Sequence, residues 1–166
     1  HLCVGDLFVI AGQSNAVGYG KNPVFDPPEL GIHMCRSSGR RDLASHPFGD
    51  STGTTHSENM DRYNTGHSPF LAFAKLLKRR LGYPIGLLPV ASGESSIRKW
   101  DPGQDGILQK CLLRVIRQNG GRVKGILWSQ GCSDTDSIEN ARNYGVAFRR
   151  LVTDTRRELN LPELPW

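Results

Sequence analysis

Leu7-Phe8-Val9-Ile10-Ala11-Gly12-Gln13-Ser14-Asn15 is the stretch on which the fold class turns. An unbroken apolar run that ends in small and polar residues reads as a parallel strand buried on both faces. Gly12, just after it, allows a sharp turn. The strand is expected over residues 6–11, with Ser14 just past its C-terminal end. In open α/β sheets ligands bind at that edge. A serine there, followed by Asn15 and by Gly18, is a candidate nucleophile, and an ordinary polar strand-to-helix turn is the plain alternative.

Two later segments repeat the pattern. Residues 85–93 run apolar from Ile85 to Ala91 and end in Ser92-Gly93, and residues 123–131 run into Gln130-Gly131 ahead of Cys132-Ser133-Asp134. In a parallel sheet all three loops converge on one edge, so Ser14, Gly93 and the Gln130/Ser133 cluster should share one crevice. A short apolar piece at residues 31–35 is a further candidate strand within an otherwise polar, Gly/Pro/Ser/Thr-rich stretch over residues 20–66, read as long loops.

Between the strands the apolar period changes to that of helices. Ser68 and Pro69 are placed to start a helix in which Phe70, Phe73, Ala74, Leu77 and Leu81 face inward, and Gly82 ends it. A second is expected over residues 105–119 with Leu108, Cys111, Leu112, Val115 and Ile116 inward. A third should start near Asp136, with Asp136 and Glu139 as a capping-box variant, carry Ile138, Ala141, Gly145, Phe148, Val152, Thr155 and Leu159 on one side, and stop at Pro162. This alternation predicts a three-layer α/β/α, flavodoxin-like architecture with a mostly parallel sheet, a single domain over residues 1–166. A further strand and helix should follow Pro165. The last strand is therefore expected to lie at an exposed edge or under another segment, and the chain reads as a piece of a longer or cleaved protein.

Composition narrows the function classes. The chain has 166 residues, ordinary charged and apolar fractions and a formal charge of +5. The basic pairs Arg40-Arg41, Arg149-Arg150 and Arg156-Arg157 and the triplet Lys78-Arg79-Arg80 carry no interleaved aromatics and no nucleic-acid motif, so nucleic acid is not the expected partner. No apolar run is long enough to span a bilayer. The chain enters a strand almost at once after His1, so no signal peptide is expected within it. Cys3, Cys35, Cys111 and Cys132 form no Cys-x-x-Cys pair, so no zinc or other metal site is expected, and nothing in the sequence asks for a cofactor. Cys111 fits a helix core position, whereas the Cys132 loop should face the crevice.

Taken in order, Gly12-Gln13-Ser14-Asn15, Ala91-Ser92-Gly93-Glu94-Ser95-Ser96-Ile97 with Trp100, and Trp128-Ser129-Gln130-Gly131-Cys132-Ser133-Asp134 resemble the blocks of SGNH-type carbohydrate esterases of the sialate O-acetylesterase-like and acetyl xylan esterase group (carbohydrate esterase family six). Arg142, Tyr144 and residues 161–165 extend the likeness over nearly the whole chain. The resemblance implies an SGNH hydrolase fold and a serine acetylesterase acting on acetylated carbohydrate, in a secreted or extracellular rather than cytoplasmic setting. It implies Ser14 as nucleophile, the Ser14 and Gly93 N–H groups as oxyanion donors, and Gln130 as a third donor, with Ser133 as the alternative. It also suggests Gln13, Asn15 and Ser133 as substrate-binding residues. Trp100 and Arg98, after the middle block, read either as a sugar-binding wall or as a packed Trp beside a solvated Arg, and His67 is a candidate substrate-binding residue from its place in a loop at a helix start.

Three departures stand out. Glu94 replaces the second glycine of the middle block, and Cys132 replaces a glutamate. No Asp-x-x-His block follows, so the base and its carboxylate are expected from a further C-terminal segment or a second chain. His67, at a helix start, is a candidate for the substrate loop, and the other histidines are expected at the surface. A catalytically degenerate module that binds glycans without turnover is the competing reading.

Overall fold

The computed structural model describes residues 4–22, 24–61 and 65–166. His1 and Cys3 therefore lie outside the described residues. Five strands form one sheet: β1 (Asp6–Gly12), β2 (Ile32–Cys35), β3 (Arg41–Leu43), β4 (Ile85–Pro89) and β5 (Gly125–Ser129), in the order β3-β2-β4-β1-β5. All pairings are parallel except β2 with β3. The helices are α1 (Ser14–Val17), α2 (Phe70–Leu81), α3 (Ile107–Gln118) and α4 (Ile138–Leu159). The sheet is thus the expected mostly parallel α/β arrangement.

The interior position of β1, between β4 and β5, follows from its composition. Val9 and Ala11 point to one face and join Leu88, Ile126 and the inner sides of α3 and α4. Ile10 points to the other and joins Ile32, Leu87, Val17 and Leu71 beside α1 and α2. A strand covered on both faces must be apolar throughout, which is why this run reads without alternation.

The five positions expected on the inner side of α3 are all buried, and burial raises the Cys111 thiol to about 11. Gly82 ends α2 in the left-handed conformation, its N–H donating to the Lys78 carbonyl. Three local expectations are corrected. Ser68 does not cap α2. Pro69 takes the flanking position in helical conformation, and the Ser68 hydroxyl, one residue too early, is buried without a partner among the described residues. The cap of α4 is Ser137, whose Oγ accepts from the Asn140 N–H at 3.1 Å, while Asp136 accepts from the Asn140 side chain. The inner stripe of α4 is Ala147, Leu151 and Thr155, flanked by Tyr144 and Phe148. Ile138, Ala141 and Gly145 are exposed, and the buried stripe begins only at Ala147.

The outer edge of β5 is met by the tail over residues 161–166. The Pro165 carbonyl accepts from the Ile126 N–H at 3.0 Å, Arg156 donates twice to the Leu164 carbonyl, and the Trp166 ring packs on Trp128 and Phe148. Of the two outcomes anticipated for this edge, cover by another segment is the one found. No described helix is long and apolar enough to cross a membrane.

Candidate active site

Strands β1, β4 and β5 deliver three loops to one edge, and the loops are laced together. The Gln13 N–H donates to the Ser129 carbonyl and the Ser92 N–H to the Gly12 carbonyl. The Gln13 carboxamide, 5 % exposed, spends itself on the β5 loop: Oε1 accepts from the Gly131 and Ser133 N–H groups at 3.0 and 3.2 Å, and Nε2 donates to Ser133 Oγ at 3.1 Å. Gln13 is therefore a clamp between two loops, and its expected contact with substrate is corrected to a positioning role.

Ser14 is the first residue of α1, half-buried, at the mouth of the crevice. The turn's own ladder starts at Ala16 and Val17, whose N–H groups both donate to the Gln13 carbonyl. The N–H of Ser14 is left outside that ladder, as the first N–H groups of a helix are. In the loop after β4 the Gly93 N–H donates to Asp61 Oδ2 at 3.1 Å.

The next residue explains one departure. Glu94 has φ +54°, a left-handed backbone conformation in which glycine carries no steric penalty. The second glycine of the block answers to that conformation, and Glu94 adopts it with its side chain exposed.

Behind the crevice stands a buried polar frame that sequence reading did not assign. Both Asp134 carboxylate oxygens accept from the Ile97 N–H, and Oδ2 also accepts from Gln130 Nε2 at 2.5 Å. Gln130 Nε2 also donates to the Ser95 carbonyl at 2.9 Å. Both amide hydrogens of Gln130 are thus turned inward, and the expectation that it serves as third oxyanion donor is corrected. Ser95, fully buried, donates to the Ser92 carbonyl and accepts from the Trp100 indole N–H at 3.1 Å. Trp100 is itself 0 % exposed and edge-on to Trp128, so it belongs to the core and not to a sugar-binding wall. Arg98 beside it is exposed. The frame was legible only in part: Asp134 stood in a quoted block, but nothing in its spacing told a buried acceptor from a surface acid.

Asn15 and His67 line a cleft of about 800 Å³ together with Gly18, Tyr19, Trp128 and Ser129. A backbone pairing of His67 with Gly20 fixes the loop. The His67 ring meets the His46 ring edge-on, with centroids 4.6 Å apart, and His46 Nε2 lies 3.1 Å from Asp26 Oδ2, while Asp26 Oδ1 pairs with Lys75. His46 and His56 are not surface residues as expected. His46 is nearly enclosed, and His56, 7 % exposed, meets Arg114 at 3.0 Å. Cys132 is exposed at the rim, in the short 3-10 turn Cys132–Asp134.

A mostly parallel sheet with a serine at the strand-to-helix turn after β1, and with polar loops after β4 and β5, defines the class of open α/β proteins that offer a ligand edge at the C-terminal ends of their strands. Within that class, the profile of the family described as "Carbohydrate esterase, sialic acid-specific acetylesterase" matches residues 4–166, and the chain belongs to that family. It is 34 % identical over 175 residues to the "Probable carbohydrate esterase At4g34215" of Arabidopsis thaliana, covering 96 % of this chain and 66 % of that protein. The crystal structure of the Arabidopsis thaliana protein AT4G34215 superposes with a TM-score of 0.79 at 31 % identity, over 96 % of this chain and 71 % of that one. "XAC1771, a novel carbohydrate acetylesterase from Xanthomonas citri" shares the fold, with a TM-score of 0.61 at 18 % identity over 97 % of this chain and 40 % of its own. The chain thus spans just under two thirds of the length of its curated relative.

Proposed function

We propose that this chain is the nucleophile-bearing part of a serine acetylesterase that removes O-acetyl groups from carbohydrate. The observation that carries the reading is the placement of Ser14 at the first helical residue after β1, in a loop hydrogen-bonded to those that follow β4 and β5.

Ser14 Oγ attacks the acetyl carbonyl and its proton passes to a base. The carbonyl oxygen becomes an oxyanion held by the Ser14 and Gly93 N–H groups. Each such donor contributes ~3 kcal/mol to the transition state. Collapse expels the sugar oxygen, which takes the proton from the base, and water then releases acetate from the acyl-serine by the same steps in reverse order. The Ser133 hydroxyl accepts from Gln13 and keeps its own proton to donate, which favours it over Gln130 as the third donor. Asn15 and His67, on the neighbouring cleft, are proposed to face the sugar. The base and its carboxylate are proposed to come from a segment outside these 166 residues or from a second chain. By resemblance the setting is secreted or extracellular.

A glycan-binding module without turnover is the second reading. It is favoured by one observation: the Gly93 N–H is taken by the molecule's own carboxylate. Aryl-acetate hydrolysis by the whole protein that contains this chain, beside Ser14→Ala, separates the two. Turnover that the substitution abolishes is the expected result. Equal rates in both proteins, with glycan binding retained, would establish the second reading instead.

A further inference from the structure

Asp61 is the group in the crevice that neither the family blocks nor the proposed chemistry uses. Its Oδ2 accepts from the Gly93 N–H at 3.1 Å. A Cβ at position 93 would lie 2.7 Å from that oxygen and 2.8 Å from the Tyr19 hydroxyl, so a larger residue there would require the ends of both side chains to shift. Asp61 is held in place from behind. Its backbone N–H donates to Ser51 Oγ at 2.9 Å. The turn just before it (Ser57–Asn59) is fastened to α3 by a two-pronged Arg114–Glu58 pair at 2.8 and 2.9 Å. An anchored segment thus presents a carboxylate to the N–H assigned to the oxyanion.

We propose that Asp61 is a specificity-determining residue of this site: an internal carboxylate ligand of the Gly93 N–H that a neutral acyl oxygen displaces and that an anionic occupant does not displace readily. The inference rests on the reading of Gly93 as an oxyanion donor. One N–H serves one acceptor in good geometry, so acyl oxygen and Asp61 compete for it. An ester carbonyl enters without charge. Acetate, the product, brings a second carboxylate against the first, and like charges at such a separation disfavour each other strongly where water is partly excluded. The residue therefore favours release of acetate and discriminates between neutral and anionic occupants of the Gly93 N–H. It also lowers affinity for the oxyanion itself while it stays on the N–H, so turnover requires it to leave.

The test is acetate binding to the whole protein at neutral pH, read from the Gly93 amide resonance, in the native sequence, Asp61→Asn and Asp61→Ala. Asp61→Asn keeps the shape and an oxygen acceptor but removes the charge. The proposal expects at least tenfold tighter acetate binding in both variants, a difference of about 1.4 kcal/mol. It also expects a Gly93 resonance displaced by Asp61→Ala before any acetate is added. Thermal unfolding of each variant confirms that it is folded. Equal acetate affinities across the three proteins, or a Gly93 resonance that ignores Asp61→Ala, would overturn the proposal. The esterase reading fails separately, through aryl-acetate hydrolysis insensitive to Ser14→Ala, and the ratio of acetate affinities can be read whichever way that falls.

Discussion

Trp100 shows what single residues in this site do. An aromatic that follows a family block invites a reading as a sugar platform, yet its indole is enclosed and hydrogen-bonded to Ser95, which also holds the turn after β4. Its removal acts on stability. Trp100→Ala is expected to cost about 3–5 kcal/mol in denaturant unfolding, as large-to-small core substitutions do. A variant of near-native stability that had lost only sugar affinity would restore the platform reading. Gln130 and Gln13 carry the same lesson for amides, since their hydrogen-bonding capacity is turned toward neighbouring loops. Residue type and block position announced a crevice. They did not announce which polar groups face it, because that depends on partners distant in the chain. Asp61 illustrates the limit. It is 32 residues from Gly93, in a polar stretch with no periodicity, and no local signal marks it.

At the scale of elements, strands β1, β4 and β5 and the inner face of α3 were legible because burial on both faces, or on one regular stripe, leaves an apolar pattern that little else produces. The cap of α4 and its inner stripe were not. Ser137 sits one residue after the acid expected to cap, and the buried stripe starts at Ala147 and not in the first turns, whose apolar spacing in the sequence looked the same. Strand β3 was unannounced for a related reason: three residues, two of them charged, pair at a sheet edge where no apolar pattern is required. Ser137→Ala should lower stability by about 1 kcal/mol, whereas Asp136→Ala should change it by less. Equal losses in thermal unfolding would move the cap back to Asp136.

Over the whole molecule, two cores flank one sheet, and charges tie the loops to the helices. Several of the arginines that give the chain its positive charge are engaged: Arg114 with Glu58, Arg36 with Asp42, Arg150 with Asp101 and Arg157 with Asp154. The Arg114 pair has a pH signature. The hydrogen bonds of Arg114 hold the Glu58 carboxyl down to about 2, from an ordinary 4.5. A depressed carboxylate contributes stability above its unfolded value and loses it as pH falls toward the folded one, so the loss runs from about pH 4.5 down to about 2. With Arg114 partly exposed, the contribution is about 1–2 kcal/mol after allowance for solvent screening. His56, whose pKa is lowered by burial and by Arg114, adds a loss that starts as pH falls below the ordinary histidine value. Glu58→Gln should flatten the acid limb of the stability profile between those limits. An unchanged limb would show that the pair contributes nothing there.

The central claim is that Ser14 is the nucleophile of this family member. Labelling of the whole protein with a fluorophosphonate, followed by mapping of the modified peptide, tests it most directly. The account predicts a covalent adduct on Ser14 that Ser14→Ala abolishes. An adduct on a different serine, or none at Ser14 in a protein that still hydrolyses aryl acetate, would contradict it.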